Sequence, residues 1–208
     1  MNPFFALLPL SLFALPGAAS AESALTTLQH DWSVCQYRSL EDQKQACFSA
    51  LSQQAHHLQG HDQEPALLIW GAIIDSSWAG AKGGLGALSL VKQAKADLEK
   101  ALSIDPDALQ GSAYTSLGAL YYQVPGWPIG FGDNKKAEAM FRKALAINPA
   151  GIDPNYFYGD FQLAQGNKQV AKQYLEKALN AAPRPGREIA DRGRHADIER
   201  DLAKLDKM

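Results

Sequence analysis

The chain has 208 residues, 46% of them hydrophobic and 20% charged, with a formal charge of −2. That is enough apolar material for a buried core, and too nearly neutral a balance for a nucleic-acid partner.

Residues 1–21, "MNPFFALLPLSLFALPGAASA", carry no charged side chain. An apolar block over residues 4–15 leads to Ala19 and Ala21, the small-x-small pattern of a signal-peptidase site, so cleavage is expected before Glu22. A retained single anchor is the alternative, because no Lys or Arg precedes the block. Pro9 and Pro16 disfavour a long spanning helix, and no Cys follows the block to accept a lipid. The mature chain is expected in the periplasm or outside the cell, with no stable membrane anchor after cleavage.

Residues 22–62 read as a helical hairpin, with Ser39 as the expected N-cap of its second helix. Cys35 and Cys47, the only two cysteines, fall on either side of the turn. In an oxidising compartment they are expected to pair, the alternative being two buried thiols. No metal site is expected, since two thiols without a His pair are an incomplete ligand set. His57 and His61 share a helical spacing, but Gly60 separates them and no acid at fixed spacing completes a site, so they read as surface residues.

From residue 63 to 183 the chain repeats. "AEAMFRKALAINP" and "AKQYLEKALNAAP" align with Ala137/Ala171, Phe141/Leu175, Ala144/Ala178 and Pro149/Pro183 each 34 residues apart. A third copy carries Ala94, Leu98, Ala101 and Pro106 in the same order. The preceding halves align on Trp70-Gly71, Leu117-Gly118 and Tyr158-Gly159. Small residues at Gly118 and Ala137 permit a close helix crossing, and Tyr114, Leu117, Tyr121 and Phe141 fill the space beside it.

This pattern resembles the tetratricopeptide repeat. The resemblance implies an all-α fold: a short α-solenoid of about three helix pairs behind the N-terminal hairpin, with residues 184–208 as a capping helix. Such a solenoid presents a concave surface to a partner.

The turns within the repeats differ in length. Gly166-Asn167 makes a tight turn in the last unit, whereas the segment ending at Ala137 is seven residues longer and that ending at Ala94 eleven residues longer. Both insertions contain Trp and Gly. They are expected to form loops over residues 75–90 and 122–134 on one edge of the stack, a lip carrying Trp78, Trp127 and Phe131. The opposing reading tucks Trp127, Ile129 and Phe131 into a loop core. Asp75, Tyr122, Tyr156 and Asp160 are expected to look into the groove, and Asp133 to cap the following helix.

Other features point to no chemistry. The cluster "GAKGGLG" lacks the preceding strand and the Gly-Lys-Ser/Thr ending of a phosphate loop. Arg184, Arg187, Arg192 and Arg194 suggest an anion site, but the acids around them favour a solvated cap. No Ser-His-Asp or Cys-His arrangement stands out, and neither catalysis nor a cofactor is expected.

Export, repeat number and the loop "VPGWPIGFGDNKKA" also resemble the periplasmic T-component family of tripartite (TRAP) transporters. That resemblance implies association with a solute-binding subunit, although this chain lacks the lipid-accepting Cys. The expected function is to bind a protein or peptide of the cell envelope on the concave face. A small-molecule carrier is the alternative, an enzyme a remote one.

Overall fold

The computed structural model describes residues 16–59, 64–205 and 207, and those residues form nine helices and no strand. Residues 1–15 of the expected export segment 1–21, and His61, lie outside the described residues, while residues 16–21 belong to the first helix. The helices are α1 (Pro16–Tyr37), α2 (Glu41–Gln59), α3 (Pro65–Lys82), α4 (Ala87–Ile104), α5 (Ala108–Gln123), α6 (Asn134–Ile147), α7 (Ile152–Ala164), α8 (Lys168–Leu179) and α9 (Glu188–Leu205). Among them, no helix is long and apolar enough to cross a membrane.

Helices α3/α4, α5/α6 and α7/α8 form the three expected pairs. The second helix of each buries the same stripe: Ala94, Leu98 and Ala101 on α4, Ala137, Phe141 and Ala144 on α6, Ala171, Leu175 and Ala178 on α8. This i, i+4, i+7 spacing puts one small–large–small face against the first helix. Pro106, Pro149 and Pro183 follow the helix ends at Ile104, Ile147 and Leu179, where a missing N–H and a fixed φ prevent continuation. A Cβ at Gly118 would lie 2.7 Å from the Phe141 ring, and one at Gly159 2.8 Å from Leu175, so the small residues are set by close helix approach. Tyr114 is only half-buried, with Lys143 5.2 Å from its ring centroid, and does not join the core it was expected to fill.

Cys35 and Cys47 are joined by a disulfide across the α1–α2 turn, their Cα atoms 5.6 Å apart. Ser39 is not the N-cap of α2. Its hydroxyl donates to the Val34 carbonyl at the end of α1, and the first turn of α2 is closed by amides donating to the Leu40 carbonyl.

The eleven-residue insertion of the first unit is not a loop. It lengthens both helices, so that α3 runs to Lys82 and α4 starts at Ala87, leaving a turn at residues 83–86 where Gly83 and Gly84 take φ of 63° and 62°. The apolar residues of "ALSLV" supply helix-packing surface, which outweighs the loop character suggested by the glycines. The second insertion does form a loop between α5 and α6. Asp133 caps α6, its side chain accepting from the amides of Lys135 and Lys136 at 2.9 and 3.1 Å.

Helix α9 packs on α8 and α7 and returns to reach α1. The Tyr37 hydroxyl donates to Asp197 at 3.0 Å, and a Cβ at Gly193 would overlap the Tyr37 ring. Three apolar clusters follow this layout. The largest surrounds Phe141 and Leu117, one joins Trp32, Phe48 and Trp70, and one joins Tyr156, Leu175 and Ile198.

Gly118→Ala is expected to destabilise by about 1–3 kcal/mol, because the added methyl meets a ring fixed in the core. Gly80→Ala, with nothing within 4 Å of its new methyl, is expected to be neutral or to stabilise by up to about 1 kcal/mol through helix propensity. Denaturant midpoints of the two variants check the repeat register.

Candidate functional site

The first helices and α9 enclose a cavity of about 960 Å³. Its wall combines Trp32 from α1, Trp70 from α3, Thr115 from α5, Tyr156 and Phe157 from α7, and Arg187 ahead of α9. The two indoles meet edge to face, centroids 5.7 Å apart, and the Trp32 indole N–H donates to Ser77 at 2.9 Å. The concave face is therefore a chamber with an aromatic floor, closed on one side by the C-terminal helix.

Ion pairs hold that side. The Asp153 carboxylate takes Arg184 Nη1 at 2.5 Å and Arg194 Nε at 3.1 Å, and Arg184 also reaches Asp191 at 2.6 Å. Arg194, whose side chain is 9% exposed, lies 4.3 Å from the Tyr156 ring centroid and 4.7 Å from that of Phe157. The expectation of a solvated arginine-rich cap therefore fails for Arg184 and Arg194. Burial pushes the Asp153 carboxyl upward, but the adjacent guanidinium groups of Arg184 and Arg194 outweigh it and hold the group at about 2.

Arg187 forms none of these ion pairs. Its guanidinium lies 4.8 Å from the Trp70 ring centroid, and its Nε is buried without a hydrogen-bond partner. Burial, and then the charge of Arg184, pull its pKa down. A half-buried cation with an unsatisfied donor, lying over an indole, favours an anionic group arriving from the cavity.

The backbone beside the cavity is unusual at the start of α5. Leu109 and Gln110 take φ of 48° and 56°, followed by Gly111 at 73°. Left-handed geometry costs a non-glycine residue about 1–2 kcal/mol, and Leu109 and Gln110 both line the cavity. Gln110 is steadied by an amide contact from Asn148 at 3.0 Å.

Of the residues expected in the groove or lip, Tyr156 alone lines this cavity. Asp75 is wholly buried on the other side of α3, where it accepts from Ser52 at 2.6 Å and faces His56 at 2.9 Å. Its side chain follows the α2–α3 interface, because helix geometry places residue 75 opposite Ser76 and Ser77, which do line the cavity. With Asp97 of α4, Asp75 and His56 bring three ligand-type atoms within 4.8 Å of one another. Tyr122 donates to Asp160 between α5 and α7, and neither residue lines the cavity. Burial raises both of their pKa values.

Trp78 packs half-buried against the N-terminal cluster under Lys82, whose ammonium is 5.3 Å from its ring centroid. Phe131 turns inward onto Tyr121, ring centroids 5.9 Å apart, in accord with the loop-core reading for that residue. Trp127 instead stands out at 91% exposure, so neither a lip over the cavity nor a tucked loop core describes it. Sequence reasoning missed Trp32, and read Trp70 as repeat core. The signal for Arg187 was present as an arginine in the cap, but only the return of α9 distinguishes it from its neighbours.

A tetratricopeptide repeat family model matches residues 129–191, and a second tetratricopeptide repeat model matches residues 87–108. The first spans the α6 to α8 region and the start of α9, and the second covers α4. No curated protein gives a match.

Because the folded-state value for Asp153 lies below the ordinary carboxylate value of about 3.9, this residue adds stability above pH ~4 that is lost as pH falls toward ~2. With its side chain 30% exposed, solvent screening limits the contribution to about 1–2 kcal/mol. Acid titration of unfolding free energy should show a shallower slope between those limits for Asp153→Asn.

Proposed function

We propose that this chain, a tetratricopeptide repeat protein and thus built as a protein–protein interaction module, acts in the cell envelope by seating a partner's acidic segment in the chamber between its first helices and α9. Arg187 carries the reading, as a half-buried guanidinium that lines the cavity over the Trp70 ring and whose Nε has no hydrogen-bond partner in the protein. A carboxylate on the partner supplies the missing acceptor, while Trp32, Tyr156 and Phe157 take up adjacent apolar groups. The protein binds without chemistry of its own.

Export is part of this proposal. It is supported by the uncharged apolar segment before Glu22 and by the Cys35–Cys47 disulfide, a bond that persists in oxidising compartments. A transporter's solute-binding subunit is one candidate partner of this kind. A second reading, a carrier for a small anionic molecule, is favoured by one observation: a volume of about 960 Å³ falls within the range of ligand pockets, roughly 300–1,000 Å³.

Intact mass of the protein recovered from the envelope fraction is expected to correspond to a chain starting at Glu22, and a mass that includes residues 1–21 contradicts export by cleavage. For binding, wild type, Arg187→Gln and Trp127→Ala are used to capture ligands from periplasmic extract. The expected result is a retained protein whose binding falls about tenfold or more with Arg187→Gln, the worth of one charge-assisted hydrogen bond. Trp127→Ala should retain it. A small molecule retained in its place selects the carrier reading, and retention unchanged by Arg187→Gln removes the chamber from the site.

A further inference from the structure

On the face of α3 away from the chamber, three side chains from three helices converge: His56 of α2, Asp75 of α3 and Asp97 of α4. Each places one polar atom on a hydrogen-bonding partner and keeps a second. The His56 Nδ1 meets Gln59 Oε1 at 3.0 Å, Asp75 Oδ1 accepts from Ser52 at 2.6 Å, and Asp97 Oδ1 accepts from Gln93 at 3.0 Å. The second polar atoms are His56 Nε2, Asp75 Oδ2 and Asp97 Oδ2, and one ligand-type atom from each of the three residues lies within 4.8 Å of the others.

The hydrogen bonds fix the chemistry of these second atoms. The Gln59 amide nitrogen donates to the Leu67 carbonyl at 3.0 Å, so its oxygen is the end presented to His56. That oxygen only accepts, and His56 Nδ1 must carry a proton. In the neutral imidazole the Nε2 lone pair then faces the Asp75 carboxylate at 2.9 Å, an acceptor against an acceptor. Asp97 adds a third acceptor. It is 8% exposed, and its Oδ2 is buried without a hydrogen-bond partner. The cluster therefore calls for positive charge at its centre.

We propose that His56, Asp75 and Asp97 bind a divalent transition-metal ion of the Zn²⁺ type, which pins the N-terminal hairpin to the first repeat. One imidazole nitrogen and two carboxylate oxygens suit such an ion and balance its two charges. Around tetrahedral Zn²⁺ with ligands at about 2.0–2.1 Å, donor atoms lie about 3.4 Å apart. The 2.9 Å contact and the 4.8 Å outer limit bracket that separation. Water completes the shell from the His56 side, where the side chain is 39% exposed. Gln59, Ser52 and Gln93 act as the outer partners that orient metal ligands.

Gly71 belongs to the same arrangement. It occupies the position at which Gly118 admits Phe141 and Gly159 admits Leu175, but in the first unit any Cβ would collide with the Gln59 amide. The repeat's small residue is thus used here to seat the side chain that orients His56.

The test is titration of chelator-treated protein with Zn²⁺, followed by calorimetry and thermal unfolding, with Co²⁺ as a spectroscopic probe. One Zn²⁺ per chain is expected, with a rise in Tm and a Co²⁺ visible band typical of low coordination number. Asp97→Asn keeps an oxygen for Gln93 and is expected to fold, and it should weaken binding about tenfold or more. His56→Gln, at a half-exposed position, should do the same. His57→Ala combined with His61→Ala should leave affinity unchanged. The proposal is overturned by absence of binding, by affinity that survives both Asp97→Asn and His56→Gln, or by affinity lost in the His57/His61 variant. An identical Tm with and without Zn²⁺ likewise shows that a proton, and not a metal, holds the cluster.

Discussion

The Asp153 carboxylate, held between the guanidinium groups of Arg184 and Arg194, determines where the C-terminal helix goes. A stack of helix pairs ends in an exposed apolar face, which α9 covers by packing on α8 and α7. The arginines add a direction to that packing, because they reach Asp153 only if α9 bends back across α7 towards α1. Removing the carboxylate would leave Arg194, whose side chain is 9% exposed, with Asp197 as its remaining acid at 3.3 Å, and would take from Arg184 its contact to α7. At the far end of the same path, Tyr37 and Asp197 complete the return.

That return changes what the concave surface can do. An open groove selects an extended partner by many weak contacts, whereas a chamber selects by volume and by the few polar groups inside it. The unsatisfied Arg187 on an aromatic wall is such a group. The left-handed backbone at Leu109 and Gln110 borders the same space, in keeping with the tendency of strained geometry to collect at sites of function. Meanwhile the opposite face of α3 carries the His56, Asp75 and Asp97 cluster. One helix therefore separates two sites of different chemistry.

The repeat was legible in the sequence because its physics is local and periodic. Ala94, Leu98 and Ala101 recur as Ala137, Phe141 and Ala144, and then as Ala171, Leu175 and Ala178, with a proline after each. Asp133 as a cap and Cys35–Cys47 as a pair were also readable, since each depends on neighbours in the chain. The site was mostly not readable. Asp75 is an acid on an amphipathic helix, and only the register between α2, α3 and α4 decides that it meets His56 and not the chamber. The glycines near Trp78 suggested a loop, yet helix packing by Leu88 and Val91 extends α4 almost to them. The return of α9 joins residues far apart in the chain and leaves no periodic trace, so Arg187 could not be told from Arg192.

The contact between α9 and α1 is the claim on which the chamber rests, and Gly193→Ala addresses it with a sign. Helix propensity alone would make alanine the better residue inside α9, by up to about 1 kcal/mol. The structure places the new methyl against the Tyr37 ring. Hydrogen exchange on wild type and Gly193→Ala should show faster exchange both in α9 and in the last turns of α1. Unchanged or slower exchange in α1 would contradict the closure.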